Sequence, residues 1–293
     1  MFLLEARGVG VRYGGVQALD GVTCGVDAGE IAAVIGPNGA GKTTLLNVIS
    51  GLTPVQRGEV LFEGRDLAPH SAHRRARLGL ARTLQGVDLF EGLTVRENLM
   101  LMARISESSR RPGTATAPAA ERVTAAAGFL GVEDELERQV TDLPGGRQRL
   151  VDIAAALCLR PRCLLLDEPA AGAGPSESAS LGRLLLRIRE VLGLGILLVE
   201  HDVQMVLDIA DYIYVLDFGR LIAEGTPAEI RRDPVVIAAY LGREAGEPLP
   251  AVTAAPAPAA AASAPVADRP GPRPPGPEWG SPEALRGGGG ASR

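Results

Sequence analysis

One octapeptide limits what this chain can fold into more than any other feature: Gly36-Pro-Asn-Gly-Ala-Gly-Lys-Thr43. It satisfies every fixed position of G-x-x-x-x-G-K-[ST], a pattern that works only between the end of a strand and the start of a helix. Its flanks agree. Ile31-Ala-Ala-Val-Ile35 is a short apolar run, and a helix is expected from Lys42 to about Ile49. Gly36 and Gly41 let the backbone turn so that successive N–H groups face one cavity, to which the helix adds its positive dipole end. Gly36, Pro37, Asn38, Gly39, Ala40, Gly41, Lys42, Thr43 and Thr44 are therefore candidates for holding the phosphates of a nucleotide. Of the 30 basic residues, 29 are arginine and Lys42 is the only lysine. A compact ammonium suits the β- and γ-phosphates there, where a planar guanidinium is too bulky. The Thr43 hydroxyl is a candidate Mg²⁺ ligand, with phosphate oxygens and water completing the shell.

The elements around this loop predict an α/β fold. Gly8-Val-Gly-Val-Arg-Tyr13 and Val22-Thr-Cys-Gly-Val26 alternate with the period of half-exposed antiparallel strands. Glu59-Val-Leu-Phe62 is a further strand that turns at Glu63-Gly64, and residues 72–158 read as mostly helical. Cys163-Leu-Leu-Leu166, Gly195-Ile-Leu-Leu-Val199 and Tyr212-Ile-Tyr-Val-Leu216 are continuous apolar strands, separated by helices around 178–191 and 203–210. Strands of that kind between helices indicate a parallel sheet buried on both faces. Two stretches break the pattern. Residues 106–120 read as an exposed loop inside the helical region, and residues 244–293 hold 11 Pro, 13 Ala and 8 Gly. A segment of that composition buries too little apolar surface to offset its chain entropy, so a disordered tail is expected after a globular part of residues 1–243.

Two acids close the strand that ends in Leu164-Leu-Leu-Asp-Glu-Pro169. In open parallel sheets the ligand crevice lies beyond the carboxyl ends of the strands, where the phosphate loop also sits. Asp167 is then placed to hold the Mg²⁺ shell, and Glu168 to orient or deprotonate the attacking water. Alone, such a pair reads more readily as an acidic surface turn; the phosphate loop is what gives it a chemical reading. Leu197-Leu-Val-Glu-His-Asp202 ends a neighbouring strand with His201, whose neutral imidazole is a candidate to bond the γ-phosphate and tie it to Glu168.

Composition sets the outer limits. The chain of 293 residues is 46% hydrophobic and 22% charged, enough to bury a sizeable core. Its net charge of −5 offers no general attraction to nucleic acid or anionic lipid. Cys24, Cys158 and Cys163 lack the spacing of a metal site or a disulfide framework, as expected in a reducing cytosol. Met1-Phe-Leu-Leu-Glu5 is too short and lacks a basic start, so no secretory signal is expected, and no apolar run approaches the roughly 18 residues that would cross a bilayer.

Five motifs stand in the order found in ATP-binding subunits of ABC transporters: Gly36–Thr44, Ala81-Arg-Thr-Leu-Gln85, Leu143-Pro-Gly-Gly-Arg-Gln-Arg149, Leu164–Pro169 and Glu200-His-Asp202. The chain resembles that family over about residues 3–243. Within it, Glu168-Pro-Ala-Ala-Gly172, Val199-Glu-His-Asp202, Gly225-Thr-Pro-Ala-Glu-Ile230 and Asp233–Gly242 are similar to the ATPases of branched-chain amino-acid importers, as is the longer loop of the helical part. Urea and short-chain amide importers share these features. The resemblance implies a P-loop NTPase core with a mostly parallel sheet, an antiparallel β subdomain at the N-terminal side and a helical signature subdomain over about residues 86–158. It implies an enzyme, an ATPase using ATP and Mg²⁺. It also implies that Tyr13 stacks on adenine and that Gln85 touches Mg²⁺ or the lytic water. Leu143, Gly145, Gly146 and Arg147 would start a helix that grips the γ-phosphate of ATP bound to a partner subunit. The other reading of Tyr13 is a strand aromatic packing on the sheet; Leu143–Arg149 taken alone reads as well as an ordinary helix-initiating turn, and that segment does not choose.

The implied partners are a second ABC ATPase subunit, two membrane permease subunits and, indirectly, an extracytoplasmic solute-binding protein; no nucleic acid is expected. The implied location is peripheral, on the cytoplasmic face of the plasma membrane. The sequence departs from the family twice. The usual Leu-Ser-Gly-Gly-Gln reads Leu-Pro-Gly-Gly-Arg, so that Pro144 lacks a serine hydroxyl and donates no N–H, while Arg147 adds a charge that partly compensates. The Asp or Asn that precedes a proline after Glu168 is Gly174 here. Because both departures serve the opposite nucleotide, Lys42, Thr43, Asp167, Glu168 and His201 remain a complete set for this subunit's own site. Two other functions fit parts of the pattern: a non-transport ABC ATPase of DNA repair or translation, and a regulatory subunit that binds ATP with little turnover.

Overall fold

The computed structural model describes residues 2–83, 89–107 and 117–241. Gln85, most of the expected 106–120 loop and the 244–293 tail lie outside the described residues. In chain order the elements are β1 (Leu4–Tyr13), β2 (Val16–Val26), β3 (Ile31–Ile35), α1 (Lys42–Ser50), β4 (Arg57–Phe62), β5 (Arg65–Asp66), α2 (Ala72–Leu78) and β6 (Leu80–Arg82). They continue with α3 (Val95–Glu107), α4 (Ala119–Leu130), α5 (Gly145–Cys158), β7 (Cys163–Asp167), α6 (Pro175–Leu192), β8 (Gly195–Val199) and α7 (Val203–Ile209). The last are β9 (Tyr212–Asp217), β10 (Arg220–Gly225), α8 (Pro227–Ile230) and α9 (Pro234–Leu241).

Two sheets carry the fold. The first is antiparallel, in the order β2-β1-β4-β5; the second runs β10-β9-β3-β8-β7-β6, parallel throughout except for its edge strand β10. The period of two along its strands divides the interior. Ile31, Ala33 and Ile35 of β3, with Leu164 and Leu166 of β7 and Ile196 and Leu198 of β8, face the core shared with the helical part. Ala32, Val34, Cys163, Leu165, Leu197 and Val199 face α1 and the antiparallel sheet. Each buried leucine or isoleucine contributes about 1.5–3 kcal/mol relative to exposure, which is why runs apolar on both faces sit in the middle of the sheet.

Three sequence expectations need correction. The helical stretch from residue 72 is interrupted by strand β6, which the Gly79 turn (φ 107°) and parallel pairing with β7 impose on only three residues. Strand β10 was not expected, because Arg220–Gly225 has no clean alternation; antiparallel pairing with β9 makes it a strand. The expected loop 106–120 is narrower at both ends, since α3 runs through Glu107 and α4 starts at Ala119. Helices α3, α4 and α5 pack on one another around Leu99, Ala103, Val123, Ala127, Val151 and Ala154 as a helical subdomain.

Candidate functional site

The loop between β3 and α1 has the backbone its glycines allow. Gly36 has φ 153°, and a Cβ there would lie 2.1 Å from the carbonyl oxygen of Leu216. Gly41 has φ 105°, and a Cβ there would lie 2.6 Å from the carbonyl oxygen of Ala18. Neither position admits a side chain. Gly219 N–H donates to the Ala40 carbonyl at 2.9 Å, so the β9–β10 turn braces the loop from behind. Lys42 is nearly buried, and its Nζ donates to the carbonyls of Gly36 (2.7 Å) and Pro37 (3.1 Å). The ammonium is thereby folded over the cup formed by the loop, where anionic oxygens can take over those bonds.

Parallel pairing places the other groups. In the sheet β8 lies between β3 and β7, so the residues that follow the three strands emerge side by side at one edge. Asp167 is buried, and burial raises its carboxyl above the usual range, opposed by the Arg82 guanidinium, which donates to Oδ2 at 2.9 Å. Its Oδ1 is buried and has no hydrogen-bond partner among the described residues. Glu168 has φ 48°, a left-handed conformation costly for a side-chain-bearing residue, held by its N–H to the Val199 carbonyl (2.9 Å) and its carbonyl to the Ala171 N–H (3.0 Å). Glu200 is fully buried; its carboxylate accepts from the N–H groups of Ala170 (2.6 Å), His201 (3.0 Å) and Asp202 (3.4 Å). Burial raises its carboxyl and these three donors lower it. Glu200 thus joins the segment after Glu168 to the segment carrying His201. His201 itself is half exposed, its Nδ1 3.6 Å from Glu200 Oε2.

A cavity of about 400 Å³, within the range of small-molecule sites, is lined by Val16, Gln17, Ala18, Asn38, Gly39, Gly41, Lys42, Thr43, Thr44, Glu168 and Phe218. It brings the phosphate loop and Glu168 together. Tyr13 and His201 are not among the lining residues: Tyr13 stands at the end of the β1–β2 hairpin, opposite Val16, with its hydroxyl 3.2 Å from Thr53 Oγ1. Sequence reading missed Val16 and Phe218, which are 69% and 74% exposed and supply apolar surface at the cavity. No local signal marked them, because single exposed apolar residues are ordinary on a protein surface.

The residues assigned to a partner's nucleotide lie elsewhere. Pro144 precedes α5, and no side chain caps the helix, so the N–H groups of its first turn point outward at Gly145 and Gly146. Leu143 is buried and its side chain belongs to the core of the helical subdomain. Arg147 is engaged within its own subdomain: Nε and Nη2 donate to Glu135 Oε1 (2.7 Å) and Oε2 (2.5 Å). A cavity of about 420 Å³ between α5 and α6 includes Pro144, Gly146, Arg147, Ala173 and Ser176 in its wall, so Pro144 lines it and Gly174 falls in the chain between two of its lining residues. Gly174-Pro175 start α6, where Glu177 accepts from the Gly174 N–H at 3.2 Å.

For a divalent cation the donors present among the described residues are hard oxygens: the buried Asp167 Oδ1, which has no hydrogen-bond partner among them, and the Thr43 hydroxyl at the cavity. Among the described residues no group of three His, Cys, Asp or Glu side chains surrounds a point. That donor set fits Mg²⁺, which keeps waters and takes ligands from a substrate's phosphates, and does not fit a cage built by protein alone.

The family model described as "ABC transporter" matches residues 19–171, more than half of the 293. The chain belongs to the ABC transporter family. It is an ABC ATPase, and ATP is its nucleotide. A second family model, "Branched-chain amino acid ATP-binding cassette transporter", matches residues 220–246. The ABC ATPase is 37% identical over 249 residues to the high-affinity branched-chain amino acid transport ATP-binding protein BraF of Pseudomonas aeruginosa, with 82% of this chain and 98% of that protein covered. It is 39% identical over the same length to LivG of Salmonella typhimurium, with the same coverage. Among solved structures it is similar to the ADP conformation of an ATP-binding cassette of an ABC transporter, with a TM-score of 0.74 and 31% identity over 83% of this chain and 99% of that one. A nucleotide-free cassette gives a TM-score of 0.72 at 30% identity over 82% and 99%. No helix of the ABC ATPase among the described residues is long and apolar enough to cross a membrane.

Proposed function

We propose that this ABC ATPase drives the uptake of branched-chain amino acids, or of a related small amide or urea solute, by binding and hydrolysing ATP beneath a membrane permease. The match of residues 220–246 to the branched-chain amino-acid cassette model carries the solute class, supported by the two relatives named for that transport. No side chain here touches the solute, so the class rests on that likeness.

Within the site, the loop amides and Lys42 bind the β- and γ-phosphates, and Thr43 with Asp167 Oδ1 hold Mg²⁺, which supplies charge neutralisation to the phosphates when bound. Glu168 orients the attacking water and accepts its proton. His201, on the strand end between the loop and Glu168, bonds the γ-phosphate and links it to Glu168; Gln85 senses the metal or the water and reports to the membrane partner. Tyr13 stacks on the adenine after turning from Thr53, with Val16 and Phe218 as further apolar contacts. Catalysis here is positioning and electrostatic stabilisation.

The α5 N-terminus, with the amides of Gly145 and Gly146, faces the ATP of a second ATPase subunit, and Arg147 joins it by releasing Glu135. The assembly is two different ATPase subunits under two permease subunits at the cytoplasmic face of the plasma membrane, fed by an extracytoplasmic solute-binding protein. ATP closes the ATPase pair and hydrolysis reopens it, through contacts that differ between the two states. Reconstituting the chain with the permease, ATPase and binding-protein genes beside it tests the reading. Leucine uptake that needs ATP and is lost in the Lys42→Ala complex is expected; ATPase activity in the same vesicles without uptake of any branched-chain amino acid, amide or urea would overturn the solute class.

A further inference from the structure

Arg82 ends β6, and no part of the site described above uses it as a nucleotide or water contact. Its side chain is 7% exposed. Nη1 donates to Asn47 Oδ1 and to Ser50 Oγ, both at 2.8 Å, and both residues lie on α1, the helix that leaves the phosphate loop. Nη2 donates to Asp167 Oδ2 at 2.9 Å. The pairing of β6 with β7 explains the reach. Arg82 is opposite Leu165, so the period of two puts its side chain on the same sheet face as Leu165 and Asp167, the face that α1 covers.

Two facts make this more than a buried ion pair. First, β3 and β7 are not neighbours in the sheet, since β8 separates them. Through α1 and Asp167, Arg82 is a direct side-chain strut between the phosphate loop's helix and the acidic strand end. Second, the strut takes one carboxylate oxygen and leaves the other, Oδ1, buried and without a hydrogen-bond partner among the described residues. A carboxylate pinned at one oxygen by a planar guanidinium cannot rotate about its Cβ–Cγ bond without breaking that bond. The free oxygen is therefore fixed in place before any cation arrives, as partners behind a metal ligand commonly fix it.

We propose that Arg82 is the positioning residue of the magnesium side of this site, locking Asp167 so that Oδ1 alone is offered to the ion's water shell at a set distance from α1. The proposal rests on the reading of Asp167 and Thr43 as the Mg²⁺ residues. A lysine cannot replace the strut in full, because one ammonium has no planar fork with which to hold Asp167 while also bonding Asn47 and Ser50.

The test measures ADP binding to the full chain by calorimetry, with MgCl2 and with chelator, alongside a nucleotide-free thermal melt. For Arg82→Met, ADP affinity in chelator stays within about twofold of the parent, since Lys42 and the loop amides are intact. The tightening produced by Mg²⁺ shrinks about tenfold, the low end of what losing a ligand's supporting partner costs. Arg82→Lys recovers part of that tightening, and it serves as the primary variant if Arg82→Met gives no cooperative melt. An unchanged Mg²⁺ effect in a folded Arg82 variant overturns the strut alone; so does a larger one, which would mean that the guanidinium competes with the ion. A parent chain that binds ADP equally well with and without Mg²⁺ removes the metal reading beneath it.

Discussion

The two faces of this ATPase proposed to meet nucleotide are built on different terms. On the phosphate-loop face each unusual residue is forced by the chain itself. Gly36 and Gly41 have no room for a Cβ, Lys42 is nearly buried against two carbonyls, and Asp167 is inside the sheet. On the α5 face nothing is forced. A Cβ at Gly145 or Gly146 would meet no atom within 4 Å, and neither residue has a left-handed φ. Glycine in a first helical turn costs stability, and this chain recovers none of it through its own packing. The difference separates residues kept by the fold from residues that only a body outside the fold can require. It also explains why the departures from the family pattern, Pro144 and Gly174, both fall on the unforced side.

The largest expected effect tests the forced face. Glu168→Gln in the assembled complex should lower steady-state phosphate release by about 10²–10⁴-fold while ATP affinity is retained, because the amide keeps the shape and loses the base. Release within threefold of the parent would show that another group takes the proton. Gly36→Ala comes next. Its methyl would collide with the Leu216 carbonyl at an unfavourable φ, costing about 2–5 kcal/mol. A melt unchanged by Gly36→Ala would mean that the loop backbone is not fixed by that approach, and the contrast between the faces would lose its footing.

How much of this was legible follows the same division. Strands β3 and β8 fall at the bounds read from the sequence, because a run apolar on both faces has one stable place, the middle of a parallel sheet. The loop was legible for a similar reason: its constraint is local and written in consecutive residues. Strand β6 was not, since three residues carry no period and the strand exists only by pairing with β7. Arg82 stood inside a motif that was read for Gln85, and its bond to Asp167 spans 85 residues that no local pattern connects. Arg147 was read as a compensating charge near a partner's phosphate, and its engagement with Glu135 is equally a tertiary fact. Val16 and Phe218 were passed over because a single exposed apolar residue gives no signal until a cavity is seen beside it.

Pro144→Ser should act on the unforced face alone. A serine there restores a side-chain cap to α5, worth about 1 kcal/mol in the melt of the isolated chain. In the assembled complex the hydroxyl reaches the partner's nucleotide, and turnover should rise roughly tenfold, the low end for a hydrogen bond to a charged group. ATP binding by the isolated chain should not change. A gain in stability without a gain in turnover would confine position 144 to helix capping.

The smallest effect is the most discriminating, because its two readouts move in opposite directions. Gly145→Ala and Gly146→Ala should each raise the stability of the isolated chain by about 0.5–1 kcal/mol, since alanine is the better helix residue and the added methyl meets open space. Neither should alter ADP affinity of that chain, whose own cavity lies on the other face. In the assembled complex the same methyl stands between the α5 amides and whatever approaches them, so turnover should fall while the phosphate loop stays intact. Residues kept for the fold behave in the reverse way, losing stability first and function as a consequence. If both alanine variants are more stable and the complex turns over at the parental rate, no external body needs these glycines, and the α5 face has no part in nucleotide chemistry.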